Sequence, residues 1–239
     1  MSLRSSKRAN DEIREIIIKP NFNDYAEGSC LISCGNTKII CTASIEEKVP
    51  NFLRNKGQGW ITAKYNMLAR STQQRIDNDP LKPNGRNIEI QRLISRALRY
   101  SIDLKLLGER QIIIDCDVIQ ADGSTRCASI NGGYVALVLA IKKLIKQHVI
   151  DYNPIKNEVC AVSCGLYNNQ IMLDLDYSED SKCEVDCNFI VNKNYDLIEI
   201  QGTGESGSIS FKQLSEMYEL VKKSAEKILK IQKEVIANF

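Results

Sequence analysis

Residues 112–138, IIIDCDVIQADGSTRCASINGGYVALV, place a β-branched run, a tight polar loop and a helical stripe end to end. That order constrains the fold more than any other stretch of the chain. Ile112, Ile113 and Ile114 suit a core strand. Asp115 and Asp117 alternate with Cys116 and Val118, so the strand gains a polar face as it nears the loop. After Ala121-Asp122-Gly123-Ser124-Thr125-Arg126, the residues Cys127, Ile130, Tyr134, Leu137, Ile141 and Leu144 recur at three- and four-residue spacing, which predicts an amphipathic helix. A helix N-terminus offers free N–H groups and the positive end of a dipole to an anion. Thr125 would add a hydroxyl and Arg126 a two-pronged cation suited to phosphate. The same pattern also serves an ordinary capped crossover, and on pattern alone both readings stand. The stretch is not a P-loop, which needs a Lys after its second Gly, and it carries no Gly-x-Gly-x-x-Gly.

The chain has 239 residues, enough for one large domain or two small ones. A net charge of +2 rules out a global polycation, so any nucleic-acid surface must be local. The charged start, MSLRSSKRANDEIREI, does not resemble a secretory signal, and no apolar run looks long enough to span a bilayer. Nine cysteines lie mostly within apolar segments and no Cys-x-x-Cys occurs. The one histidine, His148, falls at a helix end, which leaves a zinc set without its usual partners. The expectation is a reduced, cytoplasmic protein that uses Cys as a small core residue, with no membrane partner.

The first residues, about 1–12, are polar and expected to be loosely held. Strands are predicted for residues 13–19, ended by Pro20, and for a hairpin of 29–34 and 37–44 turning at Gly35-Asn36. A further strand is predicted over 59–66. Residues 69–87 read as a long loop carrying Arg70, Arg75, Lys82 and Arg86, and a helix is predicted from Ile88 to Leu106. On it, Arg92, Arg96 and Arg99 fall on one face, which suits solvent, a subunit contact or an RNA stripe. Past a boundary near residue 150, strands are expected at 159–166, 171–175, 183–192 and 196–200. A small-residue loop over 201–208 precedes a Ser-capped helix from Ser210 to about Ile236. Strands grouped before a helix, twice over, predict an α+β fold rather than a doubly wound parallel sheet.

Between these strands lies DLDYSEDSKCEVD, residues 174–186, where six carboxylates crowd one expected hairpin. It reads either as a solvated acidic turn or as a site where carboxylates brought together, with Glu184 and Asp186 on one strand face and Asp180 in the turn before it, share a hard cation such as Mg²⁺ or Mn²⁺. Asp186 sits among apolar neighbours, and a charge there wants a partner or a metal. An anion loop together with a carboxylate-held metal points to phosphate-ester chemistry.

The wording of these motifs resembles the ribonuclease PH family. The resemblance runs through residues 26–68, GRNIEIQRLISRALR (85–99), LGERQIIIDCDVIQADGSTR (107–126), DLDYSEDSKCEVDCN (174–188) and EIQGTGE (199–205). It implies a duplicated fold of β-sheet plus helix halves in one domain over 1–239, with halves of about 1–150 and 151–239. It also implies a homohexamer built as a trimer of dimers. The implied activity is a phosphate-dependent 3′→5′ exoribonuclease, a tRNA nucleotidyltransferase that trims precursor tRNA and releases nucleoside diphosphates. Inorganic phosphate would be co-substrate, with Mg²⁺ or Mn²⁺ as cofactor. By resemblance, Arg86, Gly123, Ser124, Thr125 and Arg126 would bind phosphate, and Asp180 and Asp186 would be catalytic and hold the metal. Arg70, Arg75, Arg92, Arg96 and Arg99 would meet RNA or neighbouring subunits. The chain departs from the family pattern at its start, where Arg-Pro-Asp-Gly-Arg reads Arg4-Ser-Ser-Lys-Arg8, at Ala69, in Leu-Ala-Arg, at Asn78 and at Ser206. Relatives that only bind RNA in exosome-like rings are the competing class, and a hydrolytic nuclease using the same aspartates is a third.

Overall fold

Gly35 takes a φ of +54°, a conformation other residues resist, and this lets β2 (Gly28–Cys34) fold back on β3 (Thr37–Glu46). The computed structural model describes residue 4 and residues 6–77 and 85–239; Lys82 and Asn78 lie outside them. β1 (Ile16–Pro20) adds antiparallel to β2 and forms an edge. It starts three residues later than its apolar pattern suggests and includes Pro20, because an edge strand tolerates a residue without an N–H. β4 (Trp60–Met67) and β5 (Gln111–Gln120) complete a five-stranded sheet in the order β1-β2-β3-β5-β4. β4 runs parallel to β5, so the chain must cross over between them, and it does so through helices.

That crossover is two helices rather than the single one expected. α1 (Gly85–Tyr100) ends, and α2 (Leu104–Leu107) begins after a break. Asp103 caps α2 by accepting from the N–H groups of Lys105 and Leu106. Ile102 forms an isolated bridge to Ile155, far along the chain, which pulls the backbone out of helical geometry.

The second sheet, in the order β7-β6-β8-β9, is antiparallel throughout. β6 (Val159–Tyr167) and β7 (Gln170–Leu173) meet at Asn168-Asn169, both with positive φ, as tight hairpin turns require. β8 (Val185–Asn192) is buried on both faces. β9 (Leu197–Gly204) runs through residues expected to be loop, since its small residues lie along β8 and Gly202 leaves room for the Cys187 thiol. α4 (Tyr177–Asp180) is one turn between β7 and β8, and α5 (Phe211–Ala237) closes the chain with Ser210 in a capping box.

The central element is α3 (Thr125–Lys146). The expected amphipathic stripe is only half its buried surface, because residues 127–141 are buried on every side. It packs on β2, β3 and β5 of one sheet and on β6 of the other. Between the stripe residues, Ala128, Ser129, Gly132, Gly133, Ala136 and Ala140 are small enough for backbones to approach, beside Asn131, Val135, Val138 and Leu139. By length and apolarity α3 could cross a membrane, contrary to the sequence reading, but 83% of its apolar window is buried in the fold. All nine cysteines are buried and free, with Cys41 and Cys116 sulfurs 3.9 Å apart on neighbouring strands. His148 is exposed just past the end of α3.

The tightest approach is between β2 and α3. A Cβ on Gly28 would fall 2.5 Å from the Ala140 nitrogen and overlap the Ala136 carbonyl. Gly28→Ala is therefore expected to lower stability by about 1–3 kcal/mol or more, since neither backbone can yield. Gly85→Ala, at an open position, is expected to leave it unchanged. Urea titrations of the two variants beside the parent check this.

Candidate active site

The loop leaving β5 turns at Gly123 (φ +75°) and Ser124 (φ +55°) before α3 begins. Any Cβ at residue 123 would overlap the backbone of Leu175 and Asp176, so the loop lies flat against the second half of the chain. Ser124 stands at the N-cap position, yet it makes no capping bond. Its hydroxyl lies 3.0 Å from Asp174 Oδ1 and from the Leu175 carbonyl, and 2.6 Å from the Ser163 hydroxyl. No side chain caps α3, so the positive end of its dipole is left for something else.

Thr125 and Arg126 line a cavity of about 690 Å³, together with Arg86, Asp122, Gly123, Ser124, Asp180 and Asp186. The Thr125 hydroxyl accepts from the Tyr65 phenol at 2.9 Å. Tyr65 is buried, and burial pushes its pKa up against the pull of Thr125, Arg86 and Arg126. Arg126 Nε is buried with no hydrogen-bond partner among the described residues. A buried donor of this kind costs stability unless a ligand accepts from it.

Asp180 ends α4 and Asp186 is the second residue of β8. Burial raises the pKa of Asp180, and the charge of Asp186 raises it further, while Arg126, Arg86 and Arg14 oppose the shift. Asp186 is raised by burial and by Glu205 against the same two cavity arginines. Asp180 thus feels the charge of Asp186, and two half-buried carboxylates are the kind of oxygen donors a small divalent cation takes. Among the described residues no cluster of three or more His, Cys, Asp or Glu could hold a metal. The donor set fits Mg²⁺ or Mn²⁺ bound by two carboxylates, with water and phosphate oxygens completing the shell.

The other acids of 174–186 do different work, and the expected single hairpin is absent. Asp174 is buried and accepts from Arg14 through its backbone N–H (2.7 Å), Nε (2.9 Å) and Nη2 (2.7 Å). Arg14 also donates to the Asp122 carbonyl of the loop. Asp176 caps α4, and Glu179 is buried against Arg4. Residues 4 and 6–12 are therefore held, not loose: Arg4 and Arg8 both reach the Asp174 carbonyl, and Asn10 accepts from the Leu173 N–H. Sequence reading missed Arg4, Arg14 and Asp174 in these roles; three arginines within eleven residues beside an acid-rich segment were the available signal.

The remaining expected cations lie elsewhere. Arg70 and Arg75 are exposed on the segment before residue 78, whose neighbours Thr72, Gln73, Gln74, Ile76 and Asp77 line the cavity. Arg92 is exposed on α1. Arg96 pairs with Glu199 on β9, with Nε 2.9 Å from Oε2. Arg99 lies over the Trp60 ring, 4.4 Å from its centre, and donates to the Ile61 carbonyl, so it braces α1 on β4.

Two family models match the chain: 3′ exoribonuclease family, domain 1, over residues 12–143, and domain 2 over residues 157–224. Proteins named Ribonuclease PH from Neisseria meningitidis serogroups C and A are each 50% identical over 232 residues, covering 96% of this chain and 96% of theirs. Among solved structures, rice (Oryza sativa) Rrp46 is similar with a TM-score of 0.80 at 18% identity, covering 98% of this chain and 100% of that one. An archaeal exosome core chain gives 0.78 at 20% identity, over 96% of this chain and 91% of that one. These distant likenesses are likenesses of fold.

The Arg14–Asp174 pair is expected to dominate acid stability. Burial would raise the Asp174 pKa, but hydrogen bonds and charge from Arg14, helped by Arg8, hold it below the ordinary carboxylate range. Its stabilisation is thus complete above the unfolded value of about 3.9 and is lost as pH falls through the lower folded value. Arg14→Met, which leaves Asp174 buried and stripped of its main partner, should cost about 3–5 kcal/mol at neutral pH. Asp174→Asn should lose stability less steeply than the parent below about pH 4. Urea midpoints across pH read both, and parallel acid profiles for parent and Asp174→Asn would count against the assignment.

Proposed function

Because this chain belongs to the 3′ exoribonuclease family of ribonuclease PH, we propose that its reaction takes place in the cavity between the start of α3 and the Asp180–Asp186 pair. The chain is a phosphorolytic 3′→5′ exoribonuclease, a nucleotidyltransferase acting on RNA with phosphate as co-substrate. A phosphate oxygen attacks the phosphorus of the last phosphodiester. A new P–O bond forms, and the bond from that phosphorus to the 3′ oxygen of the preceding ribose breaks. One nucleoside 5′-diphosphate leaves, and the shortened RNA keeps a 3′-hydroxyl whose oxygen takes up a proton.

The observation that carries the site assignment is the uncapped start of α3, with the partnerless Arg126 Nε, opening on the cavity that Asp180 and Asp186 also line. Backbone N–H groups of Gly123 and Ser124, the Thr125 hydroxyl, and the Arg126 and Arg86 guanidinium groups would bind and orient inorganic phosphate. Tyr65 sets the direction in which Thr125 can offer its hydrogen. Asp180 and Asp186 would hold Mg²⁺ or Mn²⁺, which when bound supplies positive charge against that developing on the phosphorus oxygens. Arg70 and Arg75, exposed beside the cavity-lining segment, would meet the RNA backbone. The substrate we favour is precursor tRNA with a 3′ extension, in the cytoplasm. The assembly we favour is a homohexamer, a trimer of dimers, in which the exposed Arg92 face would take part.

The test incubates the protein with 3′-extended tRNA and Mg²⁺, with and without phosphate. Nucleoside diphosphates that form only with phosphate support the reading; monophosphates would indicate hydrolysis, and no product would indicate a binding subunit. Arg86→Ala and Asp180→Ala should each reduce phosphorolysis by at least about 100-fold, the scale of losing a group that stabilises transition-state charge. Circular dichroism and size exclusion should match the parent. A changed assembly would mean that these residues are structural.

A further inference from the structure

Asp180 is carried by a single helical turn. Four residues make too few hydrogen bonds to hold a helix in one orientation, so what α4 does is decided by what ties it down. Two ties exist. Within the turn, Asp176 accepts from the Glu179 N–H at 3.1 Å, and Glu179 Oε2 accepts from the Asp176 N–H at 3.1 Å. Across the fold, Arg4 grips Glu179 with both arms of its guanidinium, Nε to Oε1 and Nη2 to Oε2, each at 2.8 Å. The Arg4 side chain is wholly buried and that of Glu179 is 5% exposed, so this pair is shielded from solvent. Arg4 is anchored in turn by the Ala9 carbonyl (3.1 Å) and the Asp174 carbonyl (3.0 Å).

Glu179 directly precedes Asp180, and the Asp180 N–H bonds back to the Asp176 carbonyl at 2.8 Å. Whatever fixes Glu179 therefore fixes the backbone from which the Asp180 carboxylate projects. A force acts the other way: Asp186 repels Asp180, and a loosely held turn would swing Asp180 out toward solvent. We propose that Arg4, through its buried fork on Glu179, is a positioning residue that holds Asp180 beside Asp186 and so keeps the pair ready for a divalent cation. Arg4 is not among the residues that line the cavity, and it acts from 175 positions away in sequence. The phosphate side of the cavity is held by a different bond, from Ser124 to the Asp174 carboxylate, whereas Arg4 meets Asp174 only at its backbone carbonyl, so the two sides should respond differently to mutation. This inference rests on the cation site described above.

The experiment measures Mn²⁺ binding to the intact, RNA-free protein by calorimetry, and steady-state kinetics with phosphate and Mg²⁺ varied independently. Arg4→Met should weaken Mn²⁺ binding roughly tenfold or more, as loss of a group that orients a metal ligand does. The Mg²⁺ concentration for half-maximal rate should rise to match, while KM for phosphate stays unchanged. Ser124→Ala should do the reverse, raising KM for phosphate and leaving Mn²⁺ binding alone. Arg4→Lys keeps the buried charge but not the fork, and should fall between parent and Arg4→Met; it also serves if the Met variant does not fold. If Arg4→Met or Arg4→Lys binds Mn²⁺ as the parent does while Asp186→Asn does not, the positioning role is overturned and the cation site stands. If Asp186→Asn binds like the parent, the cation site fails and the positioning role with it. An equal loss for phosphate and Mn²⁺ would mean that Arg4 is only structural.

Discussion

The two halves of this molecule meet on one buried carboxylate. Asp174 takes three hydrogen bonds from Arg14, lies within 3.0 Å of the Ser124 hydroxyl, and sits at the end of the strand that leads to Asp180. Burying an acid is unfavourable unless cations and donors surround it, and once they do, removing any of them is costly. The loop before α3 and the segment after β7 are thereby locked to a single arrangement. The cavity between them inherits its shape from that lock rather than from its own lining residues.

Around this lock the charges are sorted. Asp174, Asp176 and Glu179, which in sequence look interchangeable with Asp180, are turned inward and satisfied by arginines or by backbone N–H groups. Asp180 and Asp186 are left facing the cavity, with pKa values raised chiefly by burial against the pull of Arg126 and Arg86. The same cavity holds an uncapped helix start and a guanidinium nitrogen with no acceptor among the described residues. Each wall lacks what a phosphate–cation pair would bring. The fold therefore stores unsatisfied electrostatics of both signs in one place, which is what preorganised stabilisation of a charged transition state requires.

Features written locally were legible in the chain. The turns at Gly35-Asn36 and Asn168-Asn169 and the Ser210 cap depend on residues adjacent in sequence, and they stand where pattern puts them. The break at 101–103 was hidden because it depends on Ile102 finding Ile155. β9 was hidden because Gly202-Thr203-Gly204 looks like loop until a neighbouring strand supplies hydrogen bonds. α3 showed one apolar face; the rest of its buried surface mixes Gly, Ala and Ser with Val135, Val138 and Leu139, and the small residues are what hydrophobic periodicity does not register. At the site, Thr125, Arg126, Asp180 and Asp186 stood out through motif and resemblance. Arg4 and Arg14 did not, because a surface cation and a buried one are spelled alike.

The distance along the chain between Arg4 and Glu179 has a consequence for synthesis. A ribosome adding roughly 5–20 residues per second leaves the first arginines without their acidic partners for about ten to thirty seconds. Until the 174–179 segment emerges, Arg14 has no Asp174 and α4 does not exist. The β2–β3 hairpin and α3 can assemble in that interval, whereas the cavity cannot. A nascent chain is thus built so that folding of its core precedes ripening of its catalytic centre. A cavity that needs both of its walls cannot form until most of the polypeptide has left the ribosome.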